Sequence, residues 1–393
     1  RKEEMPYARA NGTPREYPTR MSERETKQEL GRLGFIEGIR GLAAFYVVLQ
    51  HICTMVDPRF TFQSENAQPA WLGRIMGLLW YGHFAVAAFI VVSGFCLQMS
   101  LYSRGDGRLV DWKRFLKRRC WRILPPYYAC LAFSLATVFL VTNRHEGPPW
   151  SQYVPVTIQN TVAHVFMVHN FSRDWMYKIN GVLWSISIEF QLYFLFPLLC
   201  FALWRWGARI VLPLVAAAII LVMHENTEST KLYVWYFGLF VLGMAGAKWA
   251  FGPRTLRPPA LAMSALALVA LTAAIMSISW TKQLAPRDTL MGIAVISALV
   301  AGAVRPTMLW VRLLGTRPLV WLGSFSYSLY LVHHPLLQWL THIKPTWVST
   351  PVRLFAYLVT CLPLVLFACY WFYRWFERPF INRGKTQISR QLS

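Results

Sequence analysis

Ten apolar runs, parted by short polar and basic segments, set the pattern of the chain. They lie near residues 35–56, 78–99, 124–142, 182–204, 210–224, 232–250, 260–280, 289–304, 318–341 and 351–373. Most are about the 17–25 residues that a helix needs to cross a bilayer, with 210–224 and 289–304 the shortest. The pattern predicts an all-α, polytopic membrane protein with about ten transmembrane helices. One further stretch, 157–171, is too short and polar to cross and reads as interfacial or re-entrant. A polar arm occupies 1–34, the helical bundle 35–380 and a polar tail 381–393.

The first run breaks its own pattern. Within FIEGIRGLAAFYVVLQHICTMV it carries Glu37, Arg40 and His51. A helix turns about 100° per residue, so the step from Arg40 to His51 returns to within about 20° of one face. Glu37 and Arg40 are i,i+3 neighbours on that stripe. Ionisable groups inside a span are costly and usually face a bundle interior or a wet cavity. By rise, Arg40 and His51 stand about 16 Å apart along the axis, which reads as a two-ended polar line across the membrane. His51 suits either of two roles, a general base or an interhelical hydrogen bond.

Composition agrees with a membrane chain. Of 393 residues 55% are hydrophobic and only 15% charged, against about 25% in soluble domains. The net charge of +22 has no soluble basic domain to hold it, so nucleic acid is not an expected partner. Of the 40 Lys and Arg, 29 fall on the N-terminal side of the ten-span topology and 10 on the other, with Arg40 inside the first span. That bias puts both termini in the cytoplasm. Trp and Tyr near run ends, including Trp71, Trp80, Tyr128 and Trp249, fit an interfacial belt. The seven cysteines form no Cys-x-x-Cys pair. Neither a disulfide framework nor a metal site is indicated, and they read as core fillers.

Three more segments hold candidate chemistry. A basic loop before the third run ends in Arg118, Arg119 and Arg122, followed by Pro125-Pro126. Arg118 and Arg122 share a helical face, and guanidinium groups there suit phosphate. In the fourth run Glu189 is counted to the same half of the membrane as His51. In the ninth, Ser326, Tyr330 and His333 share a face, with His333 at the depth of His51. Two histidines and a carboxylate at one depth would make a proton-transfer site if their helices meet. His83 reads as incidental, and His145, His164, His169, His224 and His342 as loop or interface residues. Ser93-Gly94-Phe95 reads as a close packing point between helices.

Together these residues resemble membrane acyltransferase family 3, the multi-span O-acyltransferases of envelope polysaccharides and secreted metabolites. The resemblance rests on Arg40 followed by ten residues and His51, on Ser93-Gly94-Phe95, and on Arg118-Arg119 with Arg122. It rests also on Trp184-Ser185 with Glu189, on Ser326-Tyr327 with Tyr330 and His333, and on Glu377-Arg378-Pro379. It implies an enzyme of the inner membrane that moves an acyl group, commonly acetyl, from cytoplasmic acyl-CoA to a carbohydrate hydroxyl outside. It implies His51 as catalytic base, Arg40 with Glu37 as partners in the same pore, and Arg118, Arg119 and Arg122 as contacts for CoA phosphates. Glu189, Tyr330 and His333 become further site residues. Acyl-CoA is a co-substrate, and no metal is expected. A non-enzymatic translocator of a glycan or lipid-linked substrate is the alternative reading.

Overall fold

The computed structural model describes residues 23–56, 77, 79, 81–103, 105–145, 147, 149–225, 232–342 and 350–381, with only the backbone for 23–32. The arm up to residue 22, Trp71, Trp80 and the tail from 382 lie outside these residues. The described residues form helices and connecting turns. The long helices are α1 (Glu23–Val56), α2 (Gly82–Tyr102), α3 (Trp112–Leu140), α4 (Leu183–Arg205), α5 (Ala208–Glu225), α6 (Trp235–Phe251), α7 (Ala260–Trp280), α8 (Leu284–Val304), α9 (Ser326–Thr341) and α10 (Thr350–Phe372).

Seven of these are long and apolar enough to cross a membrane. The other three, α5, α6 and α9, coincide with expected spans but fall short. At 1.5 Å per residue they reach about 24–27 Å, below a hydrocarbon core of about 30 Å. Residues 157–171 do not cross: they form one short helix, Ile158–Val165, with a Thr157–Asn160 capping box, then a turn, His169–Phe171.

Two boundaries differ from expectation. Helix α1 begins at Glu23 rather than near 35. The basic loop is no loop but the first turns of α3, whose start Asp111 caps by accepting from the Arg114 N–H at 2.9 Å. Capping by an Asp side chain satisfies a donor that the first turn leaves open. The helix continues through Pro125-Pro126. Tyr327 of α9 donates to the Ile123 carbonyl at 3.2 Å beside them, tying the arginine turns to α9.

Helix α1 is central, packing against α2, α9, α10 and a short helix, Arg317–Ser324. Close approach depends on small residues. A Cβ on Gly94 would collide with the Phe240 carbonyl, and one on Gly243 with the Val91 carbonyl, so α2 and α6 touch backbone to backbone. Ser93-Gly94-Phe95 is therefore a packing point. Helix α7 packs on α8 and leaves most of its apolar surface exposed, as a lipid-facing helix does.

Candidate active site

Helix α9 carries three candidate site residues, Tyr330, His333 and His334, and its alignment has a local cause. Pro335 has no N–H, so the Leu331 carbonyl one turn back loses its helical partner. Cys130 Sγ, at 3.1 Å, and Asn180 Nδ2, at 3.4 Å, donate to that oxygen instead. Asn180 also donates to Ser134 Oγ at 3.0 Å. At the other end of α9, Glu377 accepts from the Ser328 N–H and Oγ–H at 3.2 and 2.5 Å. A carboxylate at a helix N-terminus complements the dipole and the free N–H groups. Glu377 reaches it from a π-helical turn, Tyr373–Glu377, that ends α10. The Glu377-Arg378-Pro379 motif thus fixes α9 in place.

Around this frame lie two cavities. The first, about 320 Å³, is lined by Glu37, Arg40, Arg119, Arg122, Glu189 and Tyr193 among others. The second, about 450 Å³, is lined by His51, His83, Tyr153, Tyr177, Trp184 and His334 among others. Val86 and Tyr330 line both. They form the wall between the two chambers. The two-ended line along α1 is thus a pair of sites, one at Arg40 and one at His51.

In the arginine cavity, Arg40 donates to Glu37 at 3.2 Å. Arg119 lies over the rings of Phe115 and Tyr193, 5.6 and 5.7 Å from their centroids. Glu189 accepts from Ser93 Oγ at 2.6 Å and Tyr193 OH at 2.5 Å. The arginine pair facing this space is Arg119 with Arg122, an i,i+3 pair. Arg118 is not among the lining residues, so the expected pairing of Arg118 with Arg122 across one face does not describe the cavity. Once α3 is helical from Trp112, its packed side, marked by buried Phe115 and Ile123, selects Arg119 and Arg122.

At the wall of the histidine cavity, His51, which lines it, meets His333, which is fully buried behind it. His51 Nδ1 lies 3.2 Å from His333 Nε2 and 3.0 Å from the Val47 carbonyl. His333 Nδ1 lies 2.8 Å from the Leu329 carbonyl. A carbonyl only accepts, so each Nδ1 carries the proton, and His333 Nε2 is a bare acceptor. The unshared nitrogen of His51, Nε2, then holds a free lone pair at the edge of the cavity. The His51 ring also stands edge-on to His334, with centroids 5.0 Å apart. Among the described residues no group of three His, Cys, Asp or Glu side chains is arranged to hold a metal ion.

Glu189 does not join this pair, which corrects its expected depth. Helix α4 starts deeper in the bundle than that count assumes. Asn180, three residues before it, already reaches Leu331 in the middle of α9, and Gly181 and Val182 line the histidine cavity. Glu189 therefore lies further along, beside Ser93 and Tyr193. Tyr330 sits between the chambers, its OH 2.7 Å from Ser185 Oγ.

Three residues of the histidine cavity escape a reading by motif. His83, expected to be incidental, lines it. His334 does too, with Nε2 2.9 Å from the Tyr153 OH, which accepts from Gln152 at 2.6 Å. The Tyr153 phenol is pushed up by burial, so it stays protonated and donates to His334. Tyr153 comes from a short turn, Trp150–Tyr153, with no sequence signal beyond an aromatic residue near prolines. His164 and His169, read as loop or interface residues, lie in the segment between α3 and α4, where they are buried and stack with centroids 3.8 Å apart.

Comparison with known proteins adds the following. No solved structure matches the chain. It is 24% identical over 388 residues to the O-acetyltransferase OatA of Staphylococcus aureus, covering 89% of this chain and 57% of that protein. It is 24% identical over 396 residues to the putative peptidoglycan O-acetyltransferase YrhL of Bacillus subtilis, covering 91% of this chain and 57% of that protein. It is 21% identical over 336 residues to the peptidoglycan O-acetyltransferase OatA of Listeria monocytogenes, covering 78% and 50%. The chain thus spans only half to three-fifths of the length of these relatives. The Acyltransferase domain model matches residues 33–374, which takes in both cavities and every helix that lines them, and the chain belongs to that family.

Proposed function

We propose that the protein is an integral membrane O-acetyltransferase that moves an acetyl group from acetyl-CoA to a hydroxyl of a cell-envelope carbohydrate. The observation that carries this reading is the pair of cavities sharing one wall, with arginines in one and an imidazole lone pair in the other. In this reading the bundle spans ten times, with the bilayer thinned around the short α5, α6 and α9. Both termini lie in the cytoplasm at the inner membrane, and the arginine cavity opens toward the cytoplasm. Arg119 and Arg122 take the CoA phosphates, for which guanidinium geometry is suited. Arg40, held by Glu37, orients the thioester or stabilises charge on its oxygen. The sugar enters the histidine cavity.

The chemistry is a direct acyl transfer. His51 Nε2 takes the proton from the sugar hydroxyl as its oxygen attacks the thioester carbonyl. The new C–O bond forms, the C–S bond breaks, and the proton passes from His51 to the departing thiolate. His333 is a positioning residue here: it accepts from His51 Nδ1–H, holds the tautomer and steadies the imidazolium. The names of the relatives favour a peptidoglycan glycan as acceptor class.

The deciding experiment incubates purified protein with isotopically labelled acetyl-CoA and cell-wall glycan fragments, with mass spectrometry of the products. Labelled acetyl ester on the glycan, lost in His51→Ala, is the expected result. Unlabelled glycan with the wild-type protein would overturn the reading.

A further inference from the structure

We infer that the histidine cavity holds a second acceptor-recognition point, built on His83, Tyr236 and Asp288, which takes a hydroxyl or amide N–H adjacent to the hydroxyl that is acylated. The inference rests on the acyl-transfer reading above and specifies what that site selects.

The chain of contacts begins at a buried carboxylate. Asp288 is fully buried in α8 and accepts from Trp235 Nε1 at 2.9 Å. The same carboxylate places Oδ2 4.0 Å from His83 Nδ1, and the fully buried Tyr236 stands beside both. Three helix N-termini meet here: His83 is the second residue of α2, Trp235 and Tyr236 open α6, and Asp288 is the fifth residue of α8. Helix N-termini carry partial positive charge, which favours acceptor oxygens such as those of Asp288 there.

His83 Nδ1 faces two oxygens, Tyr236 OH at 3.3 Å and Asp288 Oδ2 at 4.0 Å, so it carries the proton and donates to the phenol oxygen. His83 Nε2 is left as a bare acceptor. The His83 side chain is 28% exposed, and the exposed part lines the same cavity as His51. Its ring is clamped between Trp184 and Tyr233, at centroid distances of 5.6 and 5.2 Å, which fixes its direction.

Two imidazoles thus present lone pairs to one 450 Å³ space. A ligand that satisfies both carries two hydrogen-bond donors, as a sugar with neighbouring hydroxyls or with a hydroxyl beside an acetamido group does. His51 takes the donor that reacts. His83 takes the one that does not, and so positions the ring and selects the position acylated.

The experiment compares methyl glucoside, methyl N-acetylglucosaminide and their monodeoxy analogues as acceptors, with acetyl-CoA as donor, in wild type and in His83→Phe. Phenylalanine keeps the clamped ring and removes the acceptor nitrogen. In the wild type, one deoxy analogue that still carries the reactive hydroxyl should lose about tenfold in kcat/KM, the scale of one such hydrogen bond. In His83→Phe the parent sugar should fall by a similar factor and the same analogue no further. Acetyl-CoA binding by titration should be unchanged, which shows that the variant is folded. Asp288→Asn should reduce the discrimination, again with donor affinity kept. If His83→Phe still penalises the deoxy analogue tenfold, the recognition point is wrong while acyl transfer stands. If the wild type acylates none of these sugars, the acyl-transfer reading fails and the inference with it.

Discussion

His333 Nε2 stands 3.2 Å from His51 Nδ1, while the other nitrogen of His333 is spent on its own backbone at Leu329. The second contact makes the first directional. His333 can only accept from His51, and His51 is thereby left with its basic lone pair on the cavity side. A base and an orienting acceptor are the two parts that proton abstraction from a hydroxyl requires.

His51→Ala should therefore lower kcat by at least about 10²-fold, the usual worth of a positioned base. His333→Ala should lower kcat with little change in KM for either substrate, and His333→Gln, which keeps an acceptor near His51 Nδ1, should recover part of the loss. Steady-state kinetics on the purified variants decide the matter. Equal activity of the Ala and Gln variants at position 333 would remove the orienting role.

The arginine cavity sets a different expectation. Arg119 and Arg122 line it and Arg118 does not. A charge-assisted hydrogen bond is worth about 1.5–3 kcal/mol, so losing one weakens binding by about 10–100-fold. Arg119→Ala and Arg122→Ala should each weaken acetyl-CoA binding on that scale, and Arg118→Ala much less. Isothermal titration in detergent would distinguish the three. An equal loss at Arg118 would mean that the phosphates sit outside this chamber.

Asn180 tests how α9 is held. Its amide, with Cys130, supplies donors to the carbonyl that Pro335 leaves open. Asn180→Ala should cost about 1–3 kcal/mol, the penalty for a buried acceptor left short of partners. It should lower the thermal midpoint in detergent. Adding Pro335→Ala, which restores an N–H to that oxygen, should recover stability. No recovery would mean that Asn180 acts through Ser134 alone.

The stacked pair His164 and His169 lies outside the spans and gives a pH dependence. Burial pulls His164 down to about 4, and burial together with the neighbouring ring pulls His169 well below its ordinary value. Both rings are therefore neutral when folded and bind protons more readily unfolded. Their contribution to stability is complete above about pH 6.5 and lost as the pH falls from there toward 4. The melting temperature should fall across that window and fall less in a His164→Phe, His169→Phe variant. Parallel curves would assign the acid sensitivity elsewhere.

Much of the site was legible in the sequence because the bilayer makes polar residues conspicuous. Glu37, Arg40, His51, Glu189 and His333 stood out as ionisable groups in apolar runs, and the step from Arg40 to His51 already implied two stations rather than one. What depended on chain direction between helices was hidden. Glu189 was counted from a membrane surface, and α4 starts deeper in the bundle than that count assumes. Arg118 was paired with Arg122, and Arg119 given no preference, because the helical phase of the basic stretch could not be set before its cap at Asp111 was known. His83 and His334 were visible as residues, but their worth comes from Asp288 and Tyr153, far away in sequence. Nor did composition separate the seven long helices from the three short ones. The short helices α6 and α9 carry residues of the candidate site, Tyr236 and His333, between longer neighbours.

The wall between the cavities offers the sharpest test of the two-chamber arrangement. Val86 and Tyr330 line both spaces, and the acetyl group must pass them if donor and acceptor bind on opposite sides. Val86 is small, sits on α2 between His83 and Ser93, and offers no polar side-chain group to either cavity. Replacing it with Phe adds bulk at the junction while the arginines and histidines keep their places. Val86→Phe should leave acetyl-CoA affinity within about twofold, since no charge-assisted contact is lost. It should nonetheless abolish acetyl transfer to the sugar. Val86→Ala should retain transfer and admit a longer acyl group such as butyryl. If Val86→Phe transfers acetyl at the wild-type rate, the acyl group does not travel past this wall, and both substrates must meet in one chamber.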